Sequence, residues 1–150
     1  MEGVNRKYCR ADFYCLDYGG VLLNVTLGVA GGLCHRVNMG SNTVYQMGGL
    51  VAMVLPPMAE TLKLLDSMPI PIAQQRGILR GSVATEIFFS SFVRNAVLGV
   101  TSFIAATNYD ALLDSHRWST PGGVALGLTG LVVGYFEWRK NRVKSFLESV

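Results

Sequence analysis

The amino-acid sequence predicts an all-α integral membrane protein, a four-helix bundle whose helices meet through glycine-rich interfaces. Three observations carry that reading. Only 15% of the 150 residues are charged while 50% are hydrophobic, whereas an ordinary soluble domain carries about a quarter charged residues. The apolar residues come in long runs, and the mean hydropathy is positive at +0.33. The chain also has 17 glycines, many of them placed at helical spacing within those runs. Soluble two-layer folds, disordered tails and secreted disulfide scaffolds do not fit this pattern, and the length allows one domain, 1–150.

A membrane-crossing helix needs about 20 mostly apolar residues, with about 17 as the lower limit. Four stretches come near that: about Tyr18 to Cys34, Val44 to Leu65, Ser82 to Thr107, and Gly122 to Trp138. The second is the weakest. Pro56-Pro57 removes two backbone donors within it, and Glu60 and Lys63 follow, so a kink or an early end is expected there. A buried helix of a soluble bundle would carry a charged outer face, and none of the four does.

The basic residues test the number of crossings. With four spans, Arg6, Lys7, Arg10, Lys63, Arg76, Arg80, Arg139, Lys140, Arg142 and Lys144 fall on one side. Arg36 and Arg117 fall on the other, and Arg94 lies within the third span. That asymmetry follows the positive-inside rule. The net charge of +3 then reads as membrane-flank charge and calls for no nucleic acid. The first apolar run ends in Gly31-Gly32-Leu33-Cys34, which carries no clear cleavage pattern, so insertion without cleavage is expected.

Helices in lipid associate through close packing of small residues. The first span offers Gly20, Asn24, Gly28 and Gly32, each four apart; the fourth offers Gly123, Gly127, Gly130 and Gly134; the third offers Ser91, Asn95, Gly99, Ser102 and Ala106. Each set falls on one helical face. Residues 19–33 also align with 122–136, sharing Gly19, Gly20, Val21, Leu23, Thr26, Val29 and Gly31 with Gly122, Gly123, Val124, Leu126, Thr129, Val132 and Gly134. This repeat implies equivalent packing roles for the first and last helices.

Glu86 and Arg94 are the residues most out of place, since a charge deep in a span costs about 2.5–3.5 kcal/mol. Eight residues apart, they are separated by about 12 Å of helical rise and form no direct pair. Arg94, near mid-span, is expected to face the bundle interior, a water-filled groove or a partner subunit. With Asn95, Ser90 and Ser91 these charges make either an interhelical or intersubunit polar contact, or a path for a proton or solute. The basic stretch Arg139, Lys140, Arg142 and Lys144 suits anionic headgroups such as cardiolipin.

No catalytic, cofactor or metal residues are assigned. Asp110, Asp114, Ser115 and His116 form the most enzyme-like cluster, but adjacent serine and histidine rarely point at one reacting atom and no third group orients them. Cys9, Cys15 and Cys34 lack metal-ligand spacing. Cys9 and Cys15 either pair in an oxidising compartment or stay free thiols.

The lead-in to the first span holds Cys9, then Asp17 just ahead of Gly19-Gly20, then Gly28, Gly31 and Gly32. This opening, with a Pro-Gly-Gly-led last span, resembles the inner-membrane preprotein translocase family within the preprotein and amino acid transporter superfamily, which also includes complex I accessory subunits. The family's loop signature, an arginine followed four residues later by aspartate, is absent: Arg80 is followed at that distance by Ala84 and Arg94 by Leu98. The resemblance implies a multi-pass mitochondrial inner-membrane protein among other membrane subunits. Without the loop signature, the expectation is a non-catalytic accessory subunit of a respiratory complex. A translocase subunit supporting the import path is the alternative, and a small independent transporter or membrane enzyme using Glu86 or the Asp110–His116 loop is a third. The family places both termini in the intermembrane space, whereas the basic flanks favour the matrix.

Overall fold

The computed structural model describes residues 10–37, 42–67, 77–110 and 121–148, and every element among them is an α-helix. The four are α1 (Arg10–Arg36), α2 (Asn42–Ser67), α3 (Gly77–Thr107) and α4 (Pro121–Glu148). Among the described residues three stretches are long and apolar enough to cross a membrane: Cys15–Arg36, Thr43–Asp66 and Gly81–Thr107. α4 does not reach the same apolarity, because its glycines and Glu137 dilute the apolar residues between Gly122 and Trp138.

α2 runs unbroken through Pro56-Pro57, so the early end expected there does not occur. The reason lies on a neighbouring helix. In an α-helix the N–H of residue 56 would bond to the carbonyl of residue 52, and proline has none. Asn24 on α1 supplies the missing donor, its Nδ2 bonding to the Ala52 carbonyl at 2.7 Å. A second bond from the same nitrogen to the Gly20 carbonyl, 2.8 Å, holds the amide in place. Neighbouring helices commonly re-satisfy carbonyls that proline frees in apolar surroundings.

Successive contacts set the topology. Going up α1, Gly20 lies beside Pro56, Asn24 reaches Ala52, and Gly31 lies beside Tyr45, so α1 and α2 are antiparallel. Gly28 meets Gly99 and Ser102, and Gly32 meets Phe103 and Ala106, so α1 and α3 are parallel. Glu86 pairs with Arg139, Phe89 packs on Phe136 and Thr101 lies by Thr129, making α4 antiparallel to α3. The start of α1 and the end of α4 therefore share one end of the bundle.

Glycine matters most at the α1–α3 crossing. A Cβ on Gly32 would stand 2.5 Å from the Phe103 carbonyl oxygen, and one on Gly28 would run into the Gly99 carbonyl. Gly20 is equally tight, its Cβ position 2.7 Å from Pro56 Cβ. α4 differs. Among the described residues nothing lies within 4 Å of a Cβ position on Gly127, Gly130 or Gly134, so these glycines do not pack against α1, α2 or α3 as described. The inward face of α4 is instead the row through Thr129, Val133, Phe136, Glu137 and Lys140. The equivalence of first and last helices implied by the repeat fails with it. Gly123 lies outside the residues whose surroundings are described.

The interior is polar and the exterior apolar. Among the described residues Asp17, Asn24, Glu60, Ser90, Ser91, Arg94, Asn95 and Lys140 are buried, while Leu64 and Ile87 are the large apolar side chains fully enclosed. Leu131 is 72% exposed and Leu22 69%, with Leu50, Leu126, Leu128 and Ile104 also open. Soluble domains show the opposite distribution.

Candidate functional site

Most of the buried charged side chains, with Ser91 and the half-exposed Glu137, gather into one layer at the end of the bundle where α1 starts and α4 finishes. α1 supplies Asp17, α2 Glu60, α3 Ser91 and Arg94, and α4 Glu137, Lys140 and Lys144. Arg94 donates to Asp17 and, at 2.6 Å, to Glu137. Lys140 donates to Asp17 and stands 2.9 Å from Glu60 Oε1. Lys144 completes the set, 3.2 Å from Glu60 and 3.9 Å from Asp17. The second Glu60 oxygen accepts a bond from Ser91 Oγ at 2.8 Å. Among the described residues no hydrogen bond reaches Glu60 Oε1, so the ion pairs with the two lysines are its compensation.

The carboxylates of Asp17, Glu60 and Glu137 balance the cations of Arg94, Lys140 and Lys144. Balance matters because Asp17, Glu60 and Lys140 have side chains no more than 3% exposed, and an unpaired buried ion costs several kcal/mol. Burial pushes the Lys140 ammonium below the ordinary lysine value, and the neighbouring Arg94 and Lys144 add to that push. Glu60 and Asp17 pull the other way.

The layer changes the depth assigned to Arg94. Counted along α3 it is mid-helix, yet it meets Asp17, close to the start of α1's apolar stretch, because α3 extends past α1 at this end. At about 1.5 Å per residue, Asp17 lies about 28 Å from Arg36 along α1. Arg36 in turn is held by Asp110, its guanidinium 4.7 Å over the Tyr109 ring. Two charged levels thus bracket an apolar slab close to the roughly 30 Å hydrocarbon thickness of a bilayer. Asn95 also belongs to the inner layer, its Oδ1 accepting from Arg94 Nε at 3.4 Å.

Several expected placements need correction. Lys140 is wholly buried and so does not face lipid headgroups, while Lys144 turns toward Glu60 and Asp17. Arg139 is held by Glu86, at 2.6 Å through Nη2. Arg142 is exposed, 5.5 Å over the Trp138 ring. As their eight-residue spacing implies, Glu86 and Arg94 share no contact among the described hydrogen bonds and ion pairs; each has its own partner on α4. Cys15 and Cys34 carry free thiols, while Cys9, Asp114, Ser115 and His116 lie outside the described residues. Among the described residues no three His, Cys, Asp or Glu side chains converge as a metal ion requires.

Sequence reasoning singled out Arg94 but missed Glu60, Glu137 and the inward turn of Lys140. A signal was present. Glu137, Lys140 and Lys144 are spaced three and four, which puts all three on one helical face. An up-down bundle then brings that face to the level of Asp17 and Glu60. Comparison with protein-family models, curated proteins and solved structures finds no match to this chain.

Proposed function

We propose that this chain is a non-catalytic, multi-pass subunit of a mitochondrial inner-membrane complex, a respiratory-chain accessory subunit of the complex I type with a structural and assembly role. The observation that carries the reading is the inverted polarity of the bundle. Four charged side chains, Asp17, Glu60, Arg94 and Lys140, are buried and paired with one another or with Glu137 and Lys144 inside, while large apolar side chains face outward. α4 adds to this: Gly127, Gly130 and Gly134 are open, and Val124, Leu126, Leu128 and Leu131 beside them are exposed. A glycine face with nothing against it is the kind of surface on which another membrane helix packs. The mitochondrial and respiratory parts rest on the resemblance of the opening around Asp17 and Gly19-Gly20.

One observation favours a second reading, a subunit of the inner-membrane preprotein translocase. Asp17, the aspartate of the resembling opening, is the carboxylate on which Arg94, Lys140 and Lys144 converge. Mild-detergent extraction from native membranes, native gel separation and mass spectrometry of co-migrating proteins decides between them. Co-migration with respiratory subunits is the expected result. Co-migration with import components would select the second reading, and migration of the chain alone would sink both.

A further inference from the structure

We propose that the cavity between α1, α2 and α3 is a binding site for a compact, uncharged apolar molecule carrying one hydroxyl group. The cavity measures about 350 Å³, toward the lower end of the roughly 300–1,000 Å³ that small-molecule sites occupy. Its walls are mostly apolar, with Gly49, Leu50 and Met53 from α2 and Gly99 and Val100 from α3. Asn24 of α1 lines it as well, only 1% exposed. Both donors of its amide are spent on the Gly20 and Ala52 carbonyls. Among the described residues its Oδ1 has no hydrogen-bond partner.

That oxygen is turned toward the cavity wall formed by Gly99, standing 3.6 Å from where a Cβ on Gly99 would lie. The methyl of Met53 covers the same spot, 3.3 Å from that position, and methionine is the apolar side chain that re-packs most readily. A buried acceptor without a donor costs about 1–3 kcal/mol. A water molecule there needs two to four polar partners; Tyr45 and Gln46 also line the cavity, but the residues at the Asn24 oxygen itself are Gly99 and Met53. A hydroxyl on an apolar body supplies the one donor required and fills the rest of the space with matching surface. Asn24 lies about 10 Å along α1 from Asp17, away from the charged layer and toward the middle of the apolar slab, which selects against a charged ligand.

The test uses the full chain purified in mild detergent. Two photoreactive probes are compared, a diazirine-bearing cyclohexyl alcohol and its hydroxyl-free hydrocarbon counterpart. The alcohol is expected to label the cavity-lining peptides of α1 and α2 about tenfold more than the hydrocarbon, the difference one satisfied buried acceptor makes. An excess of unlabelled cyclohexyl alcohol should remove the label. Gly49→Leu should abolish it too, since a Cβ on Gly49 meets nothing within 4 Å and the larger side chain fills the cavity instead of disturbing a helix contact. Equal labelling by the two probes overturns the proposal, and so does full labelling of folded Gly49→Leu. The two-probe comparison on the unaltered chain stands even if that variant does not fold. The site rests on the membrane reading only for how the ligand arrives. Because labelling is done on the isolated chain, its failure leaves the proposed assembly role standing, and failure of co-migration leaves the site standing.

Discussion

Asn24 on α1 stands in for the backbone donor that Pro56 removes from α2, its amide reaching the Ala52 carbonyl at 2.7 Å. The pair explains how a proline sits inside an apolar helix without ending it, and why a polar side chain occupies a glycine-lined face of α1. It also makes a prediction with an internal control. Asn24→Leu leaves the Ala52 carbonyl without a donor and should cost about 1–3 kcal/mol. Adding Pro56→Ala restores a backbone N–H to the same carbonyl, and most of the loss should return. A double-mutant cycle on unfolding in detergent micelles reads the coupling. Strictly additive losses would show that the two residues act independently.

This relationship also marks how far the sequence could be read. The helices were legible from apolar runs, and Gly28, Gly32 and Gly99 as small positions on helical faces, but which helices those faces join was not. Nor was the continuity of α2. Proline predicts a break by local geometry, and its rescue depends on a side chain 32 residues earlier that only tertiary contact brings near. The glycines of α4 mislead for a related reason. Spacing puts them on one face but cannot say whether that face meets this chain, and here the inward row runs through Thr129, Glu137 and Lys140. Lys140 itself reads as a membrane flank because a basic run usually is one. Only the matched depth of Asp17 and Glu60 turns it inward.

Breaking the ionic layer from one side should be far worse than neutralising a pair. Arg94→Leu leaves Asp17 and Glu137 short of a cation, and loss of one partner from a buried pair costs about 3–5 kcal/mol. Asp17→Asn should be of similar size, because it deprives Arg94 and Lys140 together. The combination Arg94→Leu with Asp17→Asn should cost clearly less than the sum. Denaturant titration in micelles measures all three, and full additivity would mean that the Arg94–Asp17 contact contributes no coupling.

The Glu86–Arg139 pair offers the contrast. Its side chains are 27% and 33% exposed, so solvent screens the attraction and exposed pairs are worth about 0–1 kcal/mol. Glu86→Gln should therefore change stability far less than Arg94→Leu and leave assembly intact. A loss of the size expected for Arg94→Leu would place Glu86 in the inner layer after all. Preserved assembly together with a lost transport or enzymatic activity would instead support the independent-transporter reading.

The glycines separate packing inside the chain from packing outside it. Gly28→Ala drives a methyl into the Gly99 carbonyl and Gly32→Ala does the same at Phe103; both positions face backbone, which cannot swing aside as a side chain can. Each should cost about 1–3 kcal/mol, the range for overpacking a close contact, in the isolated chain. Gly130→Ala meets open space and gains helix propensity, so the isolated chain should be unchanged or more stable by up to about 1 kcal/mol. In native membranes the order is expected to differ. If α4 is covered by another subunit's helix, Gly130→Leu will keep its fold but lose its place in the high-molecular-mass band on a native gel. Gly49→Leu, which faces the cavity between α1, α2 and α3, will keep both. A Gly130→Leu chain that still enters the complex would mean that the glycine face of α4 looks onto lipid, and the proposed assembly surface would have to be given up.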